Sequence, residues 1–364
     1  MVIGYDARAL AVPKAMGIAT YMLGLLGELG KHSEHRLVLY SDRPIPDRIA
    51  VPASAHNEAF QVRGNKYFTW EQIGLPLRAA LEKIDLMHSF SDTCPRWQPK
   101  PWILTMHDLG LHYENGDEDA RYLRYVRERV PRYARHVRFV VTPSDFTRQD
   151  VIQKLGLPKD KVRRVHPGRD ERLEVEPTED ATNAVSRKFG LTGPFVFSLG
   201  SSLPRKNARL VLRVFNQLHE RHPNIGTVMV GAEGTFAQEA AALSPKTRLL
   251  PYVSRDELHV LYHLATVVIV ASLFEGFGFP LLDALTAGKP AVFSNVTSLP
   301  EVGGPGGIAV DPHSESDVRR AVESLLGSEE LRTRYAAEGR AHAQIFSWAE
   351  TASQTLALYH EALS

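Results

Sequence analysis

Cysteine is almost missing from this 364-residue chain, where Cys94 stands alone. An internal disulfide is excluded, and so is any cysteine-rich zinc site; a reducing compartment suits such a chain. No tight Asp-x-Asp pair and no histidine-rich cluster argues for a required metal. Charge of one sign is not in excess: 43 Lys and Arg against 42 Asp and Glu leave a formal net charge of +1. No global field therefore favours a polyanion, and no nucleic-acid partner is expected. Long apolar runs are missing as well. The longest, Leu264 to Phe274, falls short of the roughly 20 residues that a membrane span needs. The opening MVIGYDARAL is strand-like and lacks the basic and apolar regions of a signal peptide. The expectation is a cytoplasmic chain, open to peripheral contact at the inner membrane face.

Two nucleotide fingerprints are also missing. Gly276-x-Gly278 lacks the third glycine of a GxGxxG dinucleotide site, which disfavours a nicotinamide dehydrogenase. No GxxxxGK[ST] occurs, which leaves a P-loop ATPase unsupported.

What is present is a chain longer than one core usually supports, since single cores stop growing at roughly 250–300 residues. Short β-branched runs alternate with helical patterns, as in parallel sheets with crossover helices. The first series of strands is expected at Val2–Tyr5, Arg36–Tyr40, Leu86–Phe90, Trp102–Met106 and Phe139–Thr142, with helices at Tyr21–Leu29 and Arg121–Ala134. The polar stretch Arg169–Ala184 suits a linker. A second series follows at Phe195–Leu199, Thr227–Val230, Arg248–Val253, Val267–Ala271, Ala291–Ser294 and Ile308–Val310. Helical stretches at Ala208–Glu220, Arg255–Leu264, Leu281–Ala287 and Glu315–Leu326 fill the gaps. The fold class is therefore α/β: two Rossmann-like domains whose parallel sheets face a central cleft. Ligands of such sheets bind beyond the carboxyl ends of the strands.

The residues at those ends carry the chemistry. Glu275-Gly276-Phe277-Gly278-Phe279-Pro280 follows one apolar strand, and Asp283 lies about one turn into the next helix. The glycines permit a tight turn with close ligand approach, and Pro280 suits a first helical turn. Backbone N–H groups of residues 276–279 would face phosphate or hydroxyl oxygens, while Glu275 and Asp283 would accept hydrogen bonds from sugar hydroxyls. A plain strand-to-helix turn would explain the proline and Asp283, but neither Glu275 nor the paired glycines. Gly200-Ser201-Ser202-Leu203-Pro204-Arg205-Lys206-Asn207 follows an earlier strand. Its two cations oppose the positive end of the helix they precede, and a bound diphosphate would account for them. A solvated basic pair is the plainer alternative. In the first half, Met16-Gly17-Ile18 opens a helix that could meet a phosphate, and His107 ends a strand where it could bond a sugar hydroxyl. Asp92 and Trp70 are candidates for acceptor recognition. Arginines spaced from Arg121 to Arg138 could dock on anionic lipid, although a solvated helix face also accounts for them.

These segments together resemble glycosyltransferase family 4, retaining transferases of the GT-B fold. VSRDELHVLYHLATVVIVASLFEGFGFPLLDALTAGKPAVFSNVTSLPEVGG carries the resemblance, supported by GSSLPRKN and LTMHDL. The family signature is a pair of glutamates; here Glu275 takes the first place and Asp283, one methylene shorter, the second. The resemblance implies that Glu275 lies near the donor sugar and Asp283 near the ribose, with His107 on the sugar. It places Arg205 and Lys206 with the Gly17 loop on the diphosphate, and Tyr252 and Val253 at the nucleobase. Many members carry an arginine where this chain has Ser201, and Arg205 is expected to substitute. The expected domains are residues 1–170 with a crossing helix 346–364, and 171–345. The expected activity is metal-independent hexosyl transfer, leaning to mannose, from a GDP- or UDP-linked sugar to a glycan or lipid-linked acceptor in cell-surface polysaccharide synthesis. No cofactor beyond the nucleotide sugar is expected. A non-catalytic sugar-nucleotide sensor, an epimerase and a phosphorylase are the alternatives on the same scaffold.

Overall fold

The computed structural model describes residues 1–12, 17–31, 34–47, 49–63, 66–113 and 120–364, with backbone alone at 66, 67 and 113. The chain divides into two compact units: Met1–Gly168 with Phe346–Ser364, and Arg169–Ile345. Among the described residues no helix is long and apolar enough to cross a membrane.

The first unit is built on seven parallel strands: β1 (Val2–Asp6), β2 (Arg36–Ser41), β3 (Ala55–Ala59), β4 (Leu86–Ser89), β5 (Trp102–Thr105), β6 (Phe139–Thr142) and β7 (Val162–Arg164). Their order is β3-β2-β1-β4-β5-β6-β7. Central strands such as Leu86–Ser89 and Phe139–Thr142 are buried throughout, as strands covered by helices on both faces must be. The succession of strands reverses between β1 and β4, which opens a crevice at their carboxyl ends.

The C-terminal helix Trp348–Leu363 belongs to this unit. Its Tyr359 hydroxyl lies 2.7 Å from His88 Nδ1, and His88 Nε2 lies 2.8 Å from Thr105 Oγ1. These three side chains are buried, so each polar atom needs the partner it has. Trp348 packs flat on Gly24, where an added Cβ would come within 2.2 Å of the indole. Trp70 is a core residue: it is 1% exposed, stacks on Phe60 and donates its indole N–H to the Phe60 carbonyl. That placement removes it from acceptor recognition. The arginine-rich run is helical but not uniform, with a π-helical stretch Tyr125–Arg129 between helices Ala120–Arg124 and Val130–Ala134. Tyr125, Val126, Val130 and Ala134 face the core.

The second unit holds six parallel strands: β8 (Phe195–Leu199), β9 (Gly226–Val230), β10 (Arg248–Leu250), β11 (Val267–Val270), β12 (Ala291–Ser294) and β13 (Gly307–Val310), in the order β10-β9-β8-β11-β12-β13. Here the reversal falls between β8 and β11. Helix Ala208–Arg221 buries Leu210, Val211, Val214, Phe215 and Leu218, a stripe at helical spacing turned onto the sheet. Helix Arg255–Leu264 starts at a capping box formed by Ser254 and Glu257.

The stretch Arg169–Ala184 is not an open linker. It forms a 3-10 helix at Glu171–Glu174 and enters helix Glu179–Phe189, which is capped by Thr178 and ends in left-handed Gly190. The expected strand Arg248–Val253 stops at Leu250.

Candidate active site

The site in the second unit starts at the tips of β8 and β11, where the sheet order reverses. Beyond β8, the 3-10 helix Pro204–Lys206 ends in Asn207, whose backbone is left-handed at φ 54°. Asparagine tolerates that conformation. Its side-chain amide donates to the carbonyls of Ala271 at 3.0 Å and Pro312 at 2.8 Å. The Leu273 N–H donates to the Arg205 carbonyl at 2.7 Å. These bonds stitch the loop after β8 to the loop after β11.

Stitching brings the charged groups together. Lys206 Nζ lies 2.6 Å from Glu275 Oε1, and Ser272 Oγ donates to the same oxygen at 2.7 Å. Arg205 Nη1 stands 3.7 Å from Glu275 Oε2. Burial pushes the Glu275 carboxyl up, but Lys206, Arg205 and Ser272 outweigh it and hold its pKa below the ordinary value. Two cations and one carboxylate leave a net positive charge at this point. The sequence suggests a bound diphosphate or a solvated basic pair; in the structure both cations face Glu275.

The glycine loop follows. Gly278 has φ 112°, which L side chains rarely adopt, and an added Cβ would meet Leu299 at 2.7 Å. It caps helix Phe279–Thr286, with Pro280 in the first turn. Gly276 and Phe277 are buried, and the Phe277 ring meets Phe279 edge-on at 5.3 Å. Behind this loop stand two residues that sequence reasoning missed. Thr297 Oγ1 accepts the Glu275 N–H at 3.3 Å, and Ser298 Oγ lies 2.9 Å from the Glu275 carbonyl and 2.7 Å from that of Phe277. Their position just beyond a strand, β12, was the available signal.

Asp283 sits in different surroundings from Glu275. Among the described residues its carboxylate has no hydrogen bond or ion pair, and the nearby guanidiniums of Arg172 and Arg255 are held by Asp170, at 2.6 and 3.2 Å. Burial first, then the Asp170 charge, pushes its carboxyl pKa up to about 7, against the opposing pull of Arg255 and Arg172. The two acids expected to act alike thus differ: one is held ionised, the other titrates near neutrality. Tyr252 is exposed, and its N–H donates to Glu233 Oε1 at 3.0 Å; Val253 is buried.

In the first unit, His107 follows β5. Its Nε2 lies 3.0 Å from the Phe90 carbonyl, which can only accept, so the proton sits on Nε2 and Nδ1 presents a lone pair. Burial pushes the imidazole down to about 4, offset in part by that carbonyl, and it is neutral at pH 7. Tyr21 meets the ring edge-on at 5.3 Å. Asp92 has φ 57° and accepts the His107 N–H, so the acceptor candidate also braces the strand tip. Gly17 is exposed and opens helix Gly17–Leu29; Met16 lies outside the described residues. Beside β1, Arg8 pairs with Asp6 and Glu71, and Glu71 also accepts from Thr93 and Tyr125.

Comparison with known proteins decides the family. The model of the family described as Glycosyl transferases group 1 matches residues 181–342, and that of Glycosyltransferase Family 4 matches residues 15–173. The chain belongs to the family 4, group 1 glycosyltransferases. Among its relatives is the O-antigen chain mannosyltransferase B of Escherichia coli, 28% identical over 71% of this chain and 69% of that protein. The serotype-specific mannosyltransferase WbdA of Escherichia coli is 27% identical over 69% of this chain, but the match spans only 32% of that longer protein. The structure of Anabaena Alr3699/HepE in complex with UDP and glucose superposes with a TM-score of 0.78 at 15% identity, covering 99% of both chains. That likeness establishes the GT-B fold for this glycosyltransferase.

Proposed function

We propose that this glycosyltransferase moves a hexose, of the mannose type, from a nucleoside diphosphate sugar to a glycan or lipid-linked acceptor in cell-surface polysaccharide synthesis, with retention of configuration and without a metal. The observation that carries the reading is the net positive cluster of Arg205, Lys206 and Glu275 at the point where the second sheet reverses. The mannose lean rests on the relatives named as mannosyltransferases. GDP and UDP both remain candidates for the nucleotide.

In this reading the donor diphosphate lies against Arg205 and Lys206, and the ribose hydroxyls donate to the unpaired Asp283. The bond between the anomeric carbon and the departing phosphate oxygen breaks while a bond to the acceptor hydroxyl oxygen forms on the same face. The acceptor's proton passes to the departing phosphate. Negative charge grows on that phosphate as the bond lengthens, so cations fixed in advance stabilise the transition state more than the ground state. Glu275 holds Lys206 in place and tempers its charge. His107, neutral with a lone pair on Nδ1, suits a sugar hydroxyl; Asp92 suits an acceptor hydroxyl.

The test is turnover. The protein is incubated with GDP-mannose or UDP-glucose and candidate acceptors, and the product anomer is assigned by proton NMR. A product whose anomeric configuration matches the donor supports the reading. Inversion, or no transfer from any nucleotide sugar, contradicts it.

A further inference from the structure

Resting on the donor reading above, we infer that Ser298 is a positioning residue that aims the Gly278 N–H at the terminal phosphate of the bound nucleoside diphosphate. Ser298 is fully buried and occupies the N-cap of helix Leu299–Gly303. A serine there ordinarily accepts a hydrogen bond from the first turn of its own helix. This one makes no cap bond. Its hydroxyl turns instead to the glycine loop, within 2.9 Å of the Glu275 carbonyl and 2.7 Å of the Phe277 carbonyl. One proton is shared between two acceptors, so a single side chain holds two peptide planes.

Peptide geometry converts that hold into a direction. In a planar trans peptide the C=O and N–H point opposite ways. The Phe277 carbonyl faces Ser298, so the Gly278 N–H of the same peptide faces away from it, at the start of helix Phe279–Thr286. Leu299 closes the side behind Gly278, where even a Cβ would not fit. The Glu275 carbonyl, held by the same hydroxyl, fixes the backbone of the residue that pairs with Lys206.

Backbone strain marks the same segment. Thr297 adopts φ 58°, an outlier for a β-branched residue. Such a conformation persists only where the surroundings impose it. Here it brings Thr297 Oγ1 to the Glu275 N–H and turns Ser298 Oγ to both carbonyls.

The test compares each nucleoside diphosphate with its monophosphate by calorimetry, using UDP with UMP and GDP with GMP. Ser298→Ala should shrink the preference of the wild type for the diphosphate about tenfold, or about 1.4 kcal/mol, while monophosphate affinity stays within a factor of about two. Thr297→Gly, which keeps the left-handed turn, should retain the preference. Should the alanine variant not fold, Ser298→Cys, with a weaker donor in a similar volume, should show a partial loss. An unchanged preference in a folded Ser298 variant overturns the inference, as does an equal loss for both ligands. A wild type that binds none of the four nucleotides overturns the donor reading instead.

Discussion

Lys206 Nζ lies 2.6 Å from Glu275 Oε1, joining a cation beyond β8 to a carboxylate beyond β11 across the reversal of the second sheet. The lysine is thereby fixed in direction before any ligand arrives. Lys206→Ala should lower kcat by about 10²–10³-fold, as loss of one preorganised charge donor does. It should also cost about 1–3 kcal/mol of stability, because Glu275 keeps only Ser272 and a distant Arg205. Glu275→Gln should reduce turnover strongly with a smaller effect on the urea midpoint. Near wild-type turnover in either variant would detach this pair from the chemistry.

Asp283 supplies a pH dependence with a definite sign. A carboxylate accepting ribose hydroxyls binds best ionised, and the group titrates at about 7 in the free protein. Nucleotide affinity should therefore rise as pH increases through 7 and level off above it. Stability runs the other way: the folded pKa stands above the ordinary 3.8, so the protonated native form is favoured. The resulting stability is full below about 3.8 and is lost as pH rises towards 7. Asp283→Asn should flatten both profiles; calorimetry and urea titration across pH 5–9 read them.

The C-terminal helix is held by polar atoms that have nowhere else to bond. Tyr359→Phe leaves His88 Nδ1 buried without its partner and should cost about 1–3 kcal/mol. Burial lowers the His88 pKa to about 3, so the stability it lends is present above its ordinary 6.5 and falls away as pH drops below that value. Acid-induced unfolding monitored by circular dichroism would reveal an unchanged midpoint if this network were incidental.

Sequence reached the elements whose burial is apolar and continuous. β8, β11 and β12 were read nearly to the residue, and so were the glycine loop and the cationic turn. Elements with polar or short faces escaped: β3 is largely exposed Ala-His-Asn-Glu-Ala, and helix Glu179–Phe189 buries only Val185. Helix Asp145–Leu155 buries Thr147 and Asp150 beside Val151 and Leu155, and only its Ser144 cap and left-handed Gly156 announce it. The pairing of Lys206 with Glu275 joins residues 69 positions apart, which no local pattern encodes. The titration of Asp283 and Glu275 is not legible either: burial raises both carboxyls, and only the cations Lys206 and Arg205 beside Glu275 reverse the direction there, while Asp170 adds to the rise at Asp283.

In the proposed reading Arg205 and Lys206 balance the charge of the diphosphate, with no need of a divalent cation. Transfer should accordingly persist undiminished in excess chelator. Activity lost to chelator and restored by magnesium would contradict the metal-free part of the proposal.

Thermal unfolding with UDP, GDP, ADP and dTDP, repeated on Lys206→Ala, asks whether Lys206 holds a nucleoside diphosphate. A ligand that binds only the native state raises its melting temperature with concentration. One diphosphate should raise the melting temperature of the wild type, and the rise should be lost in the variant. No rise with any of the four, or a rise that Lys206→Ala leaves intact, would contradict that role.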